Sequence, residues 1–491
     1  MHRCWKIAEL VHLIFNELDP HLDGIYHVHG PLRANAMALY RLAQTCRRFS
    51  EPALDVLWKA NEGLILLLKC LPAHSWEIRD WRFTIVSPLA FEDWERCLAH
   101  SKRVRTFSAH NGTITLDSSA LESMISLPPG TVLPNVTGLS CCSSSTLFSY
   151  LPFLIGPRVR TGAILIDGPA FRSSALQSFA SRFRFLQSVK VVVGPIERPL
   201  SLNSISSFIT QMASPRMLDV HGLDHQAYRH ITSFSNLVNL IISDIIEMPF
   251  PNPGRPSPET AFPALRELKI MVSNTLFAIN FLSVFHDAPL TSLSISTTEN
   301  STPTNAFVLL SAICIACAIP QLACLHVFLC ECNDPMYDDT RLYTLPFDFI
   351  RPLLAYPNLR SLSLACPVGF ELHDISVETM ARAWPLLDTL SLVGDLSEVA
   401  TPRSRPTLTS LATLSQLCPK LHTVWLAVDA MSVPRVPCDG RGKTAAFTWY
   451  PLDSPIHRPA DVAGFRRATL PGLRIDSRRR SWRDVGTFLV A

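Results

Sequence analysis

A short apolar phrase, Pro-x-Leu-x-x-Leu-x-(Leu/Ile/Val), recurs along the 491-residue chain and constrains its fold more than any other feature. Some copies keep the full pattern, and the others are shortened, lack the proline or vary in an apolar residue. The copies occupy residues 134–141, 236–242, 263–270, 289–295, 320–327, 357–364, 385–392 and 419–426. A single copy could occur by chance in a leucine-rich chain. Several copies with nearly the same spacing between their apolar residues indicate an internal repeat.

Each copy ends in alternating apolar and polar residues, which predicts a short strand with every second side chain facing the core. In the copy at 263–270 the inward side chains are Leu268 and Ile270. Apolar residues between the copies follow helical spacing, as at Phe277 and Phe281. A strand followed by a helix, repeated many times, predicts an α/β fold: a solenoid of irregular leucine-rich repeats over residues 103–431.

The side chains that alternate with the inward residues should line the exposed face of the stacked strands. Most of them are Ser or Thr, and interface anchors are usually larger. We therefore predict a substrate-binding strip whose main contacts are Lys269, His326, Phe328 and Trp425. The alternative is that neighbouring loops cover Phe328 and Trp425, which then serve packing alone.

A small module of three short helices is predicted before the repeats. Ser50 is the expected N-cap of the third helix, with Glu51 and Pro52 in its first turn. Helices this short bury little surface by themselves, so we expect them to dock on a partner. The apolar residues that define the three helices are Ile7, Leu10, Val11, Ile14 and Leu18, then Leu39, Leu42, Ala43 and Cys46, then Ala53, Leu54, Leu57 and Trp58.

Three segments of this module, IAELVHLIF (7–15), LAQTCRRF (42–49) and ALDVLW (53–58), resemble the F-box. The chain is most similar to fungal F-box proteins with irregular leucine-rich repeats, and the likeness continues as far as residues 103–105. It departs from the family at Ala8, where proline is usual, and in a longer polar insertion at 19–33.

The resemblance implies the substrate-recognition subunit of a cullin-type, SCF-like ubiquitin ligase, which is not itself an enzyme and needs no cofactor or metal. Its helices would bind a Skp-type adaptor, and its repeats would bind the target protein. The alternatives are a repeat scaffold with no ubiquitin role and an enzyme such as a nucleotide hydrolase using Lys443. The adaptor-binding residues carried over are Ile7, Ala8, Leu10, Val11, Ile14, Leu18, Leu42, Leu57 and Trp58.

The expected organisation is an F-box-like module at 1–60, a connecting region at 61–102, the solenoid at 103–431 and a basic, partly disordered tail at 432–491. A composition of 47% hydrophobic and 17% charged residues excludes a mainly disordered chain. No secretory signal is visible, and the longest apolar run, 306–319, is shorter than the ~20 residues of a membrane span. The 14 scattered cysteines indicate reduced thiols, and we expect a cytoplasmic or nuclear protein.

Four other motifs could form a binding site, but each also has a purely structural interpretation. Residues 437–444 approach a phosphate-binding loop, but Pro437 stands where its first glycine belongs. The thiols at 314–332 could hold zinc, yet the first pair lies in an apolar run typical of a buried helix. The histidines of loop 19–31 could hold a metal, although a solvated linker is favoured. The arginines at 478–483 could form a nuclear-import or nucleic-acid patch, but a net charge of +3 does not favour nucleic acid.

Overall fold

The structure is a computed structural model of the chain. It describes residues 8–19, 31–110, 112–167, 173–194, 198–245, 261–285, 288–298, 303–329, 345–366, 369–394, 404–434, 446–477, 482 and 485. Ile7, the three loop histidines, Lys443 and the arginines at 478–483 lie outside these residues. The chain divides into two compact units, Met1–Ile231 and Thr232–Ala491.

The first unit begins with three helices, α1 (Ala8–Asn16), α2 (Pro31–Thr45) and α3 (Arg47–Leu57). They enclose a small core of their own, because each helix contributes at least one fully buried apolar side chain to it. The buried members are Val11, Phe15, Leu39, Ala53 and Val56.

Helix α3 corrects one sequence prediction, since Ser50 is not its N-cap. The helix begins at Arg47, Cys46 is the extended N-cap residue, and Pro52 lies inside the helix. The first turn forms upstream because Phe49 packs edge-on against Phe15, with ring centroids 5.7 Å apart. This tertiary contact offsets the backbone hydrogen bond that an interior proline removes.

Within its described residues the first unit continues with nine strands and seven further α-helices. The strands are β1 (Ala60–Glu62), β2 (Trp76–Arg79), β3 (Arg82–Ile85), β4 (Thr106–Ala109), β5 (Thr115–Leu116), β6 (Gly138–Cys142), β7 (Thr161–Ile166), β8 (Ser188–Val193) and β9 (Met217–Val220). The helices are α4 (Ile65–Leu68), α5 (Glu95–Ser101), α6 (Ser118–Ile125), α7 (Leu151–Leu154), α8 (Ser173–Arg182), α9 (Arg198–Ile209) and α10 (His225–Thr232).

The strands of the first unit form one parallel sheet in the order β1-β4-β6-β7-β8-β9 and a smaller sheet, β2-β3-β5. A backbone motif joins each strand of the parallel sheet to the next. The carbonyl of the residue immediately before a strand, its pre-strand residue, accepts two successive N–H groups from the next repeat, at 2.7–3.1 Å. The accepting carbonyls belong to Lys59, Arg105, Thr137, Arg160 and Gln187.

The second unit contains eleven strands and five α-helices within its described residues. The strands are β10 (Asn239–Ile245), β11 (Glu267–Val272), β12 (Ser292–Thr297), β13 (Cys324–Phe328), β14 (Leu345–Pro346), β15 (Ser361–Ala365), β16 (Phe370–Glu371), β17 (Thr389–Val393), β18 (Thr423–Leu426), β19 (Thr448–Tyr450) and β20 (Arg474–Ile475). The helices are α11 (Thr275–Leu282), α12 (Pro303–Ala316), α13 (Asp374–Ala383), α14 (Leu408–Leu417) and α15 (Pro459–Thr469).

Nine of these strands form a parallel sheet in the order β10-β11-β12-β13-β15-β17-β18-β19-β20, and β14 pairs with β16. The predicted alternation is confirmed, because the second leucines of successive phrases pair in register and are buried. They are Leu268, Leu293, Leu325, Leu362 and Leu390. The helical spacing predicted between phrases is confirmed at α11 and α14. The result is a repeat-like, solenoid-like α/β architecture.

The last two strands, β19 and β20, do not follow the full phrase, although Pro471-Gly472-Leu473 leads into β20, and neither is among the predicted strands. Trp449 of β19 is fully buried, and its indole N–H donates to the Leu426 carbonyl at 2.9 Å. Its ring meets that of buried Trp482 edge-on at 4.9 Å. Aromatic burial therefore closes this end of the second unit's sheet. In the part of the chain that the structure describes, no helix is long and apolar enough to cross a membrane.

Candidate functional site

The outward side chains of the second unit's sheet form a continuous strip. One row of it, termed the outer strip, crosses seven strands in register, and its members are Lys269, Ser294, His326, Ser363, Ser391, Trp425 and Tyr450. Because neighbouring strands lie about 4.8 Å apart, the row from Lys269 to Trp425 spans about 24 Å. Three of the predicted contact residues therefore share one row.

His326 lies at the centre of the outer strip, between Ser294 and Ser363 on the adjacent strands. Its imidazole is half-buried, and this burial lowers the pKa of His326 below its ordinary value of 6.5. The ring is therefore neutral near pH 7 and offers one hydrogen-bond donor and one acceptor. Small serines on both sides leave it accessible from above the strip.

Phe328 lies one row further along the strands, between Ser296 and Ala365. It is 54% exposed, and Met271 in the same row is 36% exposed. Small neighbours leave both side chains standing out from the sheet. Large apolar groups exposed in this way are typical anchors for a partner.

Trp425 differs from Phe328 because it is half-buried and stacked on a neighbour. Its ring lies parallel to that of Tyr450, with centroids 3.8 Å apart and planes inclined by 4°. The two residues are register partners on β18 and β19. One face of the Trp425 ring is thus covered, while Ser391 on its other side is small.

A polar hollow of about 630 Å³ adjoins the outer strip where the strands begin. Its lining brings Glu267 and Arg360 together with Asn358, Gln321 and Cys324. This mixed-charge lining suits hydrogen bonding rather than burial of an apolar ligand. Among the residues that the structure describes, no group of three His, Cys, Asp or Glu side chains is placed to hold a metal ion.

The predicted adaptor-binding residues are divided between the core and the surface of the three-helix module. Val11 is buried, whereas Leu10 and Ile14 are 37% and 39% exposed. Ala8 begins α1, and Ile7 lies outside the described residues. The remaining predicted residues pack inward: Leu18, Leu42 and Leu57 against the helical core, and Trp58 on the ring of His100 at 4.7 Å.

Leu13 was not among the predicted residues, yet it is the most exposed large apolar side chain of α1, at 62%. With Leu10 and Ile14 it forms a surface termed the α1 apolar face. These residues stand at i, i+3 and i+4, so they share one side of the helix, while Val11 and Phe15 occupy the buried side. The sequence signal for this exposed face is a second apolar stripe, beside the buried one, within the nine residues of α1.

Two ion-pair groups fix the three-helix module to the beginning of the first unit's sheet. Arg103, two residues before the pre-strand residue of β4, pairs with Glu51 and Asp55 of α3, and its side chain is only 17% exposed. Lys59, the pre-strand residue of β1, pairs with buried Asp19 at 2.7 Å. The α1 apolar face is thereby held in a defined orientation within this unit.

Comparison of the chain with protein-family models and with curated proteins returned no match.

Proposed function

We propose that this protein is the substrate-recognition subunit of a cullin-type ubiquitin ligase. Its three-helix module would bind a Skp-type adaptor, and its strand faces would hold the protein to be ubiquitinated. Transfer of ubiquitin would belong to other subunits. The observation that carries the proposal is the α1 apolar face, which leaves Leu10, Leu13 and Ile14 exposed on a module that already has a complete core.

The energetics favour a partner for this face. Burying a leucine or isoleucine side chain contributes about 1.5–3 kcal/mol, so three adjacent ones supply a useful binding surface. Exposure of these three side chains adds nothing to the stability of the module, because Val11 and Phe15 already fill its interior. Clustered apolar exposure is typical of an interaction site. A helical adaptor with a complementary groove is the partner that the resemblance implies.

The attachment of the module supports the same role. The Arg103 and Lys59 ion pairs connect α3 and Asp19 to the residues that precede β4 and β1, so they would hold the adaptor-binding helices on the first unit's sheet. On the substrate side we propose Lys269, His326 and Phe328 as contacts. Trp425, with one face on Tyr450, would present its edge to the target.

The test is capture of a purified Skp-type adaptor by the full chain. In the double variant Leu10→Asp, Ile14→Asp, two carboxylates enter the α1 apolar face, and we expect adaptor capture to be lost because each buried charge opposes binding. A matched control carries Leu276→Asp and Ile315→Asp, which alter the same residue types at more exposed positions on helices α11 and α12.

The control variant should capture the adaptor as well as the unmodified chain does, and far-UV circular dichroism should show both variants folded. Undiminished capture by the Leu10, Ile14 variant would overturn the proposal. Absence of capture by the unmodified chain would also overturn it, and would favour a repeat scaffold whose first helices serve only as a cap.

A further inference from the structure

The segments that lead into five strands of the first unit contain no acidic residue, and all but the segment before β6 contain Lys or Arg. Residues 100–106, 134–138, 156–161, 182–188 and 213–217 precede or begin β4, β6, β7, β8 and β9, and together they contain eight Lys or Arg and no Asp or Glu. Seven of the eight define the surface termed the basic edge: Lys102, Arg105, Arg158, Arg160, Arg182, Arg184 and Arg216.

Backbone hydrogen bonds place the central members of the basic edge in a row. The chain of donors runs from Thr137 N–H to the Arg105 carbonyl and from Arg160 N–H to the Thr137 carbonyl, at 2.7 and 2.8 Å. It continues from Arg160 through Gln187 to Arg216, at 2.7 Å each. Arg105, Arg160 and Arg216 thus stand on alternate strands, about 10 Å apart.

The positive charge of this row is not neutralised within the described part of the chain. Arg103, the eighth basic residue, binds Glu51 and Asp55, but the seven members of the basic edge are exposed and form no ion pair with any described carboxylate. In the second unit the pre-strand residues are mixed in charge, and Asp388 meets His422 at 2.5 Å. A row of exposed cationic side chains without a described carboxylate partner favours an anionic ligand.

The geometry of the row favours a polypeptide over a nucleic acid. Proteins that bind single-stranded nucleic acid stack successive bases on several aromatic side chains. Among the described residues of the five segments, Phe185 is the one aromatic side chain that is exposed, and the Arg184 guanidinium covers its ring at 4.6 Å. A peptide in the polyproline II conformation has three residues per turn and rises about 3.1 Å per residue, so every third side chain lies on one side at about 9.3 Å, close to the ~10 Å spacing of the arginines.

We propose that the basic edge binds an acidic segment of a protein, in polyproline II conformation, with carboxylates at every third residue facing Arg105, Arg160 and Arg216. This names the substrate chemistry of the proposed receptor and in that sense rests on the proposed function. Asn135 helps to hold the edge in place, because it accepts from the Arg158 guanidinium at 3.0 Å and donates to the Lys102 carbonyl at 2.8 Å.

The experiment titrates the full chain into a fluorescent synthetic peptide with Glu at every third position and Ser or Gly between, followed by fluorescence anisotropy. The triple variant Arg105→Ala, Arg160→Ala, Arg216→Ala should bind at least about tenfold more weakly, since three charge-assisted contacts are lost. Binding by the unmodified chain should weaken as salt is raised towards physiological strength.

A matched control removes the same number of positive charges from the second unit through Arg351→Ala, Arg382→Ala and Arg458→Ala. These arginines are exposed and lie in weak surface ion pairs, so the affinity for the peptide should stay within about twofold. Equal losses in both triple variants would show a non-specific charge effect and overturn the proposal. No binding by the unmodified chain, or tighter binding of a single-stranded oligonucleotide of equal charge, would overturn it too.

Adaptor capture, measured on the same triple variant, separates this proposal from the preceding one. Lost peptide binding with full adaptor capture supports both. If the unmodified chain captures the adaptor but does not bind the peptide, the acidic-segment proposal alone is overturned. If the unmodified chain binds the peptide through the three arginines but does not capture the adaptor, the basic edge is supported. The ubiquitin-ligase role is then overturned.

Discussion

The parallel rings of Trp425 and Tyr450 allow the packing role of Trp425 to be measured separately from any binding role. With centroids 3.8 Å apart and planes inclined by 4°, the two rings form a stacked pair across β18 and β19. Aromatic pairs contribute about 0.5–1.5 kcal/mol beyond the area they bury. We therefore expect Trp425→Ala and Tyr450→Ala to be coupled in their effect on the free energy of unfolding.

Each single substitution should lower the free energy of unfolding by about 2 kcal/mol. A fully buried tryptophan costs about 3–5 kcal/mol when truncated, and both rings here are half-buried. The double variant should lose about 1 kcal/mol less than the two single losses together, because the stack can be removed only once. Urea unfolding followed by far-UV circular dichroism measures all three variants without relying on tryptophan fluorescence.

The control cycle pairs Ser391→Ala with Tyr450→Ala. Ser391 shares the outer strip but lies two strands from Tyr450, so these changes should be additive within about 0.3–0.5 kcal/mol. A coupling between Trp425 and Tyr450 no larger than in this control cycle would refute the stack as a source of stability. Loss of a bound target with unchanged unfolding would instead assign Trp425 to binding.

Two further predictions follow from burial. Leu362→Ala should lower the free energy of unfolding by about 2–5 kcal/mol and Ser363→Ala by less than about 0.5 kcal/mol, since only the leucine faces the core; similar losses in urea unfolding would contradict the alternation. Burial, and then the charges of Arg103 and Arg96, lower the pKa of His100. The unfolded imidazole protonates near pH 6.5 and the folded one only below it, so stability present at higher pH should be lost as the pH falls below about 6.5. His100→Gln should flatten that dependence in thermal unfolding, and an unchanged slope would count against it.

The strand interiors could be predicted from the sequence because one local rule determines them. At Leu268 and Ile270 the period of two and the burial of one face act together, and no distant residue alters the outcome. The start of α3 could not be predicted in this way. A rule based on Ser50 and Pro52 is local, whereas the helix begins earlier because Phe49 meets Phe15 across the module.

The candidate surfaces were less predictable, because they depend on which strands become neighbours. The Trp425 stack requires β19, a three-residue strand without the repeat phrase, to follow β18 in the sheet. The exposure of Leu13 depends on Val11 and Phe15 taking the buried side of α1, although all are apolar and close in sequence. Residues 61–102 contain no phrase, and the domain limits at 60, 102 and 431 stay predictions.

The pre-strand motif explains how repeats of unequal length can keep one strand register while the side chains on their surface vary. One carbonyl holds two N–H groups of the next repeat, so the backbone alone fixes the register. The helix and loop between two strands can then change in length without shifting that register. The side chain of a pre-strand residue is not needed for this hydrogen bonding, since Thr137, Arg160 and Gln187 make the same backbone contacts. These positions can therefore vary in charge at little cost in stability, and the basic edge of the first unit is one result of that freedom.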